Sequence, residues 1–155
     1  MVCDCVYGAM QAIRCRCKEY TREAQNAHAQ GMFAEADVLF MDAFELAHSL
    51  LALPLVDNTS LNVFINSSLN FLRFCQAKES QQRCLQTTIG SLQGLFSSAE
   101  YESSVRCAAL DSCNYFTQLL ADELKSQHNW QEVTKVMHWF EVNWSRYAPE
   151  LIRLN

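Results

Sequence analysis

The chain has 155 residues and a net charge of −5, and half of its residues are hydrophobic. A chain of this length can bury a core as one domain, 1–155, and its negative charge gives no general attraction for nucleic acid. No apolar run reaches the roughly 18 residues of a membrane-spanning helix, and no secretory signal pattern opens the sequence. We therefore expect a cytoplasmic protein that binds neither nucleic acid nor a membrane.

Residues that form turns are scarce, because the chain contains only four Gly and two Pro. A fold rich in β-strands would need many more of them. The apolar residues instead recur at spacings of three and four, which is typical of helices with one buried face. The sequence predicts an all-α fold of about six helices in three antiparallel αα-hairpins.

The first predicted helix carries two Cys-x-Cys pairs, Cys3 with Cys5 and Cys15 with Cys17. A tetrahedral zinc site needs four sulfurs that each lie about 2.3 Å from the ion. On one continuous helix Cys5 and Cys15 are about 15 Å apart, and Cys3 and Cys17 about 21 Å apart, at a rise of about 1.5 Å per residue. We therefore predict no metal site and no cofactor. The alternative is a metal-binding or redox protein, which requires residues 1–7 to fold back.

Positive charge is concentrated on the same helix. Arg14, Lys18 and Arg22 are spaced four apart and form one stripe. The following segment, 23–72, contains acidic residues but no Lys or Arg. The simplest interpretation is a basic helix beside an acidic one, and the alternative is a face that binds a partner.

The segment 20–51 has the pattern of two helices joined by a tight turn at Gly31. Large and small residues alternate along both helices at spacings of three and four, which lets two backbones approach closely. This pattern resembles one tetratricopeptide repeat, a helix-turn-helix unit of about 34 residues. Two positions depart from the family: Ala27 replaces an aromatic residue and His48 replaces the closing proline. An ordinary alanine-rich helical hairpin is the alternative. The matching residues are Tyr20, Ala24, Gly31, Phe33, Ala36, Phe40 and Ala43.

A weaker second repeat follows. Phe64, Ser68 and Phe71 have the same large-small-large spacing as the first helix, 44 residues further along the chain. The polar segment 57–60 supplies an N-cap for the third helix, and residues 78–80 are predicted to form the turn before the fourth.

Two segments match the capping box that opens a helix, 97–100 for the fifth helix and 129–132 for the sixth. The sixth helix has a stripe of apolar residues at heptad-like spacing. We interpret this stripe as core, and a homodimer through the C-terminal helices is the alternative. The stripe consists of Trp130, Val133, Met137, Phe140 and Trp144.

The sequence contains none of the short motifs that indicate catalysis. A Gly-x-Ser-x-Gly elbow, a phosphate-binding glycine loop and a His-Glu-x-x-His run are all missing from it. We predict a protein that is not an enzyme and has no catalytic residues.

The resemblance implies a protein-binding module of the adaptor or chaperone type. In the tetratricopeptide family, the first helices of adjacent repeats line a concave groove that holds a peptide or a helix of a partner protein. Some members clamp a C-terminal carboxylate there. Asn66 stands at one clamp position, but Thr21 and Gln25 occupy two others, which argues against that clamp. The partner-binding residues implied on this chain are Lys18, Thr21, Gln25, His28, Asn62, Ile65, Leu69 and Leu72.

Overall fold

The computed structural model describes residues 2–154, and side chains from residue 4 to residue 153. Within that range there are six α-helices, one short 3-10 helix and no strand, so the predicted all-α fold is confirmed. None of these helices is both long and apolar enough to cross a bilayer. The helices are α1 (Val2–Ala29), α2 (Phe33–Ser49), the 3-10 helix (Leu50–Ala52), α3 (Asn58–Phe74), α4 (Lys78–Ser97), α5 (Ser103–Ser126) and α6 (Trp130–Leu154).

The chain divides into two compact units, Met1–Cys84 and Leu85–Asn155. The division falls within α4. The first unit contains α1, α2 and α3, and the second contains α5 and α6. Each unit has its own buried residues, and the prediction of one domain over 1–155 stays a prediction.

Helices α1 and α2 form an antiparallel hairpin. The His28 and Phe33 rings meet edge to face near the turn, with centroids 5.0 Å apart, and the Cys17 thiol lies 3.8 Å from the Ala43 carbonyl further along the pair. Ala24, Ala27 and Ala36 between these contacts are buried, and Ala36 has no exposed surface. Small residues therefore line this contact, as the spacing predicts.

The turn between α1 and α2 depends on Gly31. Its backbone has a φ of +77°, and the Met32 amide donates back to the Ala27 carbonyl at 2.9 Å. This is the arrangement of a helix that ends in a left-handed residue, which glycine adopts without strain. The predicted turn at Gly31 is confirmed.

Helix α3 begins where the sequence predicts. The Asp57 carboxylate accepts a hydrogen bond from the Ser60 amide at 2.7 Å, which satisfies one of the free donors at the helix start. Along its length α3 is antiparallel to α2, because Phe64 contacts Phe44 and Phe74 stacks on Phe40 at 4.9 Å. The pattern of Phe64, Ser68 and Phe71 is fully or almost fully buried, so it is core.

Two helix starts differ from the sequence prediction. Residues 78–80 form the first turn of α4, so the preceding connection is 75–77. The capping box at 97–100 does not open α5, because α4 continues to Ser97 and α5 begins at Ser103. The polar residues after Ser97 instead form the connection 98–102, where the Ser98 hydroxyl accepts a hydrogen bond from the Glu100 amide at 3.3 Å.

In the second unit α5 and α6 form another antiparallel hairpin. The Cys107 thiol, early in α5, lies 3.7 Å from the Leu151 carbonyl, late in α6. At the turn the Asn129 amide donates to the Leu124 carbonyl at 2.9 Å, and His128 takes a positive φ of 56°. The same capping geometry as at Gly31 is thus built around a residue with a side chain.

The apolar stripe predicted on α6 is only partly core. Val133 and Phe140 are buried, whereas Trp130 and Trp144 are 59% and 37% exposed. The Asn129 side chain accepts from the Glu132 amide at 3.4 Å, so one half of the predicted capping box is present, whereas the Asn129 amide donates to the Leu124 carbonyl. A homodimer through these helices stays a prediction.

Candidate binding groove

The groove lies between α1 and α3, which run in the same direction. Arg14 of α1 contacts Ser60 of α3, and His28 of α1 contacts Phe74 of α3. In both pairs the two residues are 46 positions apart in the sequence, so α1 and α3 are parallel and stay in register. Because α1 and α3 lie side by side and both pack on α2, a furrow remains between them.

This furrow has a volume of about 230 Å³. Its α1 wall extends from Cys17 to Gln25, which is about 12 Å of helix at a rise of about 1.5 Å per residue. Cys17 is buried at its base, next to the α2 backbone. The lining residues are Cys17, Lys18, Thr21, Arg22 and Gln25 of α1, and Val63, Asn66, Ser67 and Asn70 of α3.

An ion pair closes one end of the groove. Arg14 Nη2 donates to both carboxylate oxygens of Asp57, at 2.6 and 2.9 Å, and to Ser60 Oγ at 2.8 Å. Partial burial alone would raise the pKa of Asp57, but the hydrogen bonds from Ser60 and Arg14 and the Arg14 charge together lower it below its usual range. The first cation of the basic stripe is therefore neutralised within the fold.

An aromatic cluster closes the other end. The half-buried His28 ring stands edge-on to Phe33 and to Phe74, with both centroid distances at 5.0 Å. His28 is therefore held by rings of α2 and α3 and does not line the groove.

Two cations of the basic stripe face the groove without a partner. Lys18 and Arg22 take part in none of the ion pairs among the described residues. The groove lining contains no Asp or Glu, although the chain as a whole carries a net charge of −5. The groove is thus a locally positive surface on an acidic protein.

Side-chain amides supply the other polar groups of the groove. Gln25 stands on the α1 wall, and Asn66 and Asn70 stand on the α3 wall. Within the described part of the chain none of these three amides is hydrogen-bonded. Each one presents donors and an acceptor to whatever enters the groove.

A second hollow, of about 480 Å³, lies on the outer side of the α1–α2 hairpin. Its only cation, Arg16, lies over the Tyr20 ring at 5.5 Å and hydrogen-bonds the phenol oxygen. Asp42 and Glu45 also line it, so its charges are mixed. The groove between α1 and α3 is the better candidate, because its charges have one sign and lack partners.

The structure divides the predicted binding residues between two surfaces. Lys18, Thr21 and Gln25 line the groove, and His28 closes its end. The residues predicted on α3 lie outside the groove lining, because they are turned by about a third of a helical revolution from the wall residues. These four residues are Asn62, Ile65, Leu69 and Leu72. Asn62 is exposed, and the three apolar residues are half-buried. Their binding to a partner stays a prediction.

No motif in the sequence marks Val63, Ser67 and Asn70 of the α3 wall, which face α1 because α3 turns that side toward its parallel neighbour. The resemblance gives Asn66 only a clamp position. For Arg22 the signal in the sequence is its place in the basic stripe.

The cysteines do not gather into a metal site among the described residues, where no group of three potential metal ligands is found. Cys5 and Cys15 are exposed on the continuous helix α1, so the fold-back needed by the metal alternative does not occur there. The side chain of Cys3 lies outside the described residues. Cys5, Cys15, Cys17, Cys75 and Cys113 are free thiols, and burial raises the pKa of Cys17 and of Cys113 to about 11.

Comparisons with known proteins give no match: no family model fits the sequence, and no curated protein or solved structure is significantly similar. The resemblance to the tetratricopeptide repeat therefore stays a prediction, based on the residues of segment 20–51.

Proposed function

We propose that this chain is a non-catalytic protein-protein interaction module that holds a segment of a partner protein in the groove between α1 and α3. The observation that carries the proposal is the pair of unpartnered cations, Lys18 and Arg22, in a groove that contains no acidic residue. Unpaired charges of one sign on a concave surface favour a ligand of the opposite sign.

The ends of the groove support this proposal. Arg14 is tied to Asp57, and His28 is enclosed by two rings, so both ends are fixed by contacts within the fold. A binding surface held by such contacts needs little reorganisation when a ligand enters, which favours affinity.

The alternative function, a cysteine-based metal or redox protein, has less support. A reactive cysteine needs a lowered pKa, because the thiolate is the reactive form. Burial raises the pKa of Cys17, Cys75 and Cys113 instead. We also propose a cytoplasmic location, since unpaired thiols persist in reducing compartments.

The proposal is tested by selecting binders from a library of random dodecapeptides displayed on phage, with the full chain immobilised. The groove is then blocked by Asn66→Trp, an exposed position on its α3 wall. We expect the selected peptides to lose binding to this variant. Circular dichroism checks that the variant keeps its helix content.

The matched control is Asn62→Trp, which makes the same substitution one turn earlier on α3 at an exposed position outside the groove lining. We expect it to bind the selected peptides normally. Loss of binding in Asn62→Trp with retention in Asn66→Trp would move the site to the surface of Ile65 and Leu69 and overturn the proposal.

A further inference from the structure

We infer that the partner segment is an extended, acidic peptide that places Asp or Glu side chains at alternate positions against Lys18 and Arg22. The inference rests on the proposed function and adds the chemistry and the conformation of the ligand. Three properties of the groove lead to it: its charge, its small size and its unbonded amides.

The charge of the groove selects carboxylates. Arg14 is already paired with Asp57, which leaves Lys18 and Arg22 as the free cations of the stripe. Arg22 presents a planar fork of donors that matches a carboxylate, and Lys18 provides a compact charge. The protein's overall charge of −5 would repel an acidic ligand everywhere except at a local positive surface of this kind.

The small size of the groove favours an extended chain over a helix. Its volume of about 230 Å³ lies along about 12 Å of α1, whereas a helix with side chains is roughly 10–12 Å across and would rest on the rim. An extended chain advances about 3.3 Å per residue and inserts every second side chain on one side. About four extended residues span this length, and about two of their side chains point into the groove.

The free amides favour the same conformation. In a helix the peptide groups are already bonded to each other, so Gln25, Asn66 and Asn70 would find no backbone partner. An extended segment leaves its N–H and C=O groups available, and a side-chain amide can donate to one and accept from the other. These three residues supply contacts that do not depend on the peptide's sequence.

The spacing of the cations matches the spacing of alternate side chains. Lys18 and Arg22 are four residues apart on α1, which places them about 6 Å apart along the helix axis. Alternate residues of an extended chain are about 6.6 Å apart. The expected pattern in the ligand is thus two acidic residues separated by one residue of any type.

Sequencing of the peptides selected from the dodecapeptide library tests this inference. We expect acidic residues at alternate positions to be enriched by roughly tenfold, near the upper limit of what two exposed ion pairs contribute. In Lys18→Glu/Arg22→Glu the enrichment should change to Lys and Arg at alternate positions. Lys18→Gln/Arg22→Gln should lose the acidic preference without gaining a basic one.

The matched control is Lys78→Glu/Arg83→Glu, which changes two exposed cations outside the groove by the same charge. It should select the same acidic peptides as the original chain. If this control loses the preference as fully as the groove variant, the effect comes from overall charge and the inference is wrong.

Other outcomes separate this inference from the proposed function. Peptides that lose binding in Asn66→Trp but show no acidic preference would overturn the inference and leave the proposed function standing. Selection of no peptide, or of peptides indifferent to Asn66→Trp, would overturn both. A second library with free C-termini identifies the source of the carboxylate. Enrichment only at the terminal residue of that library would overturn the assignment to side chains.

Discussion

Arg106 Nη1 of α5 lies 3.1 Å from Glu150 Oε1 of α6, and the two side chains differ greatly in exposure, at 5% and 52%. The guanidinium also donates from Nε to the Phe96 carbonyl at 3.1 Å, in the last turn of α4. A buried arginine thus satisfies a carbonyl that a helix end leaves unpaired. One residue ties three helices of the second unit together.

We expect Arg106→Met to lower the free energy of unfolding by about 1–3 kcal/mol, because it leaves the buried Phe96 carbonyl without its donor. Urea unfolding followed by circular dichroism measures this change. Arg153→Met removes an exposed arginine near the end of α6 and should change the free energy by less than about 0.5 kcal/mol. Equal effects of the two substitutions would show that the Phe96 bond contributes nothing.

The Arg14–Asp57 pair should make stability depend on pH in the acidic range. The pKa of Asp57 is lower in the folded state than in the unfolded state. Below about pH 4, the usual pKa of Asp, the unfolded state therefore binds more protons, and the protein loses stability as the pH decreases. Asp57→Asn keeps the helix cap but removes the charge. We expect it to cost about 0.2–1 kcal/mol at pH 7 and nothing once Asp57 is protonated. A difference that persists unchanged at the lowest pH would contradict the ion-pair explanation.

The two hairpin turns offer a reciprocal test. Gly31 and His128 both have positive φ, but only His128 carries the strain of a side chain there. Gly31→Ala should therefore cost about 1–2 kcal/mol, and His128→Gly should stabilise the chain by up to about 1 kcal/mol. His128 is exposed, so few contacts are lost with its ring. The midpoints of urea unfolding compare the two, and a destabilised His128→Gly would show that the imidazole has a structural role.

Overpacking tests the contact between α1 and α2. Ala36 has no exposed surface, whereas Ala34 on the same helix is exposed. Ala36→Trp should lower the free energy of unfolding by about 1–3 kcal/mol or more, because a close helix contact has no room for the indole. Ala34→Trp should change it by less than about 0.5 kcal/mol. Unchanged thermal stability of Ala36→Trp would mean that the hairpin core is not close-packed.

Alkylation rates distinguish the cysteines by burial. Cys5 and Cys15 are exposed, whereas burial raises the pKa of Cys17 and Cys113 to about 11. At pH 8 a thiol with that pKa is ionised in roughly one molecule in a thousand. We expect iodoacetamide, followed by mass spectrometry, to label Cys15 far faster than Cys17, and the difference to vanish in urea. Equal rates in the folded protein would place Cys17 at the surface.

The sequence by itself determined the helices, because their causes are local. The spacing of small and large residues places Ala36 in the core. The Asp57 side chain caps the start of α3, and Gly31 adopts the left-handed backbone of the turn between α1 and α2. A local pattern alone did not place every helix start. The capping box at 97–100 does not start α5, since the Ser98 hydroxyl accepts from the Glu100 amide within the connection and α5 begins at Ser103.

Only the tertiary structure decided the groove. The basic stripe indicated Lys18 and Arg22, but the residues that lie across the groove from them depend on which side of α3 faces its parallel neighbour. A helix can turn any side toward another helix, and the choice is made by the whole of its buried surface, here Phe64 and Phe71 against α2. That rotation places Asn66 opposite the cations and turns Leu69 away, because residues three positions apart differ by about 60° around a helix.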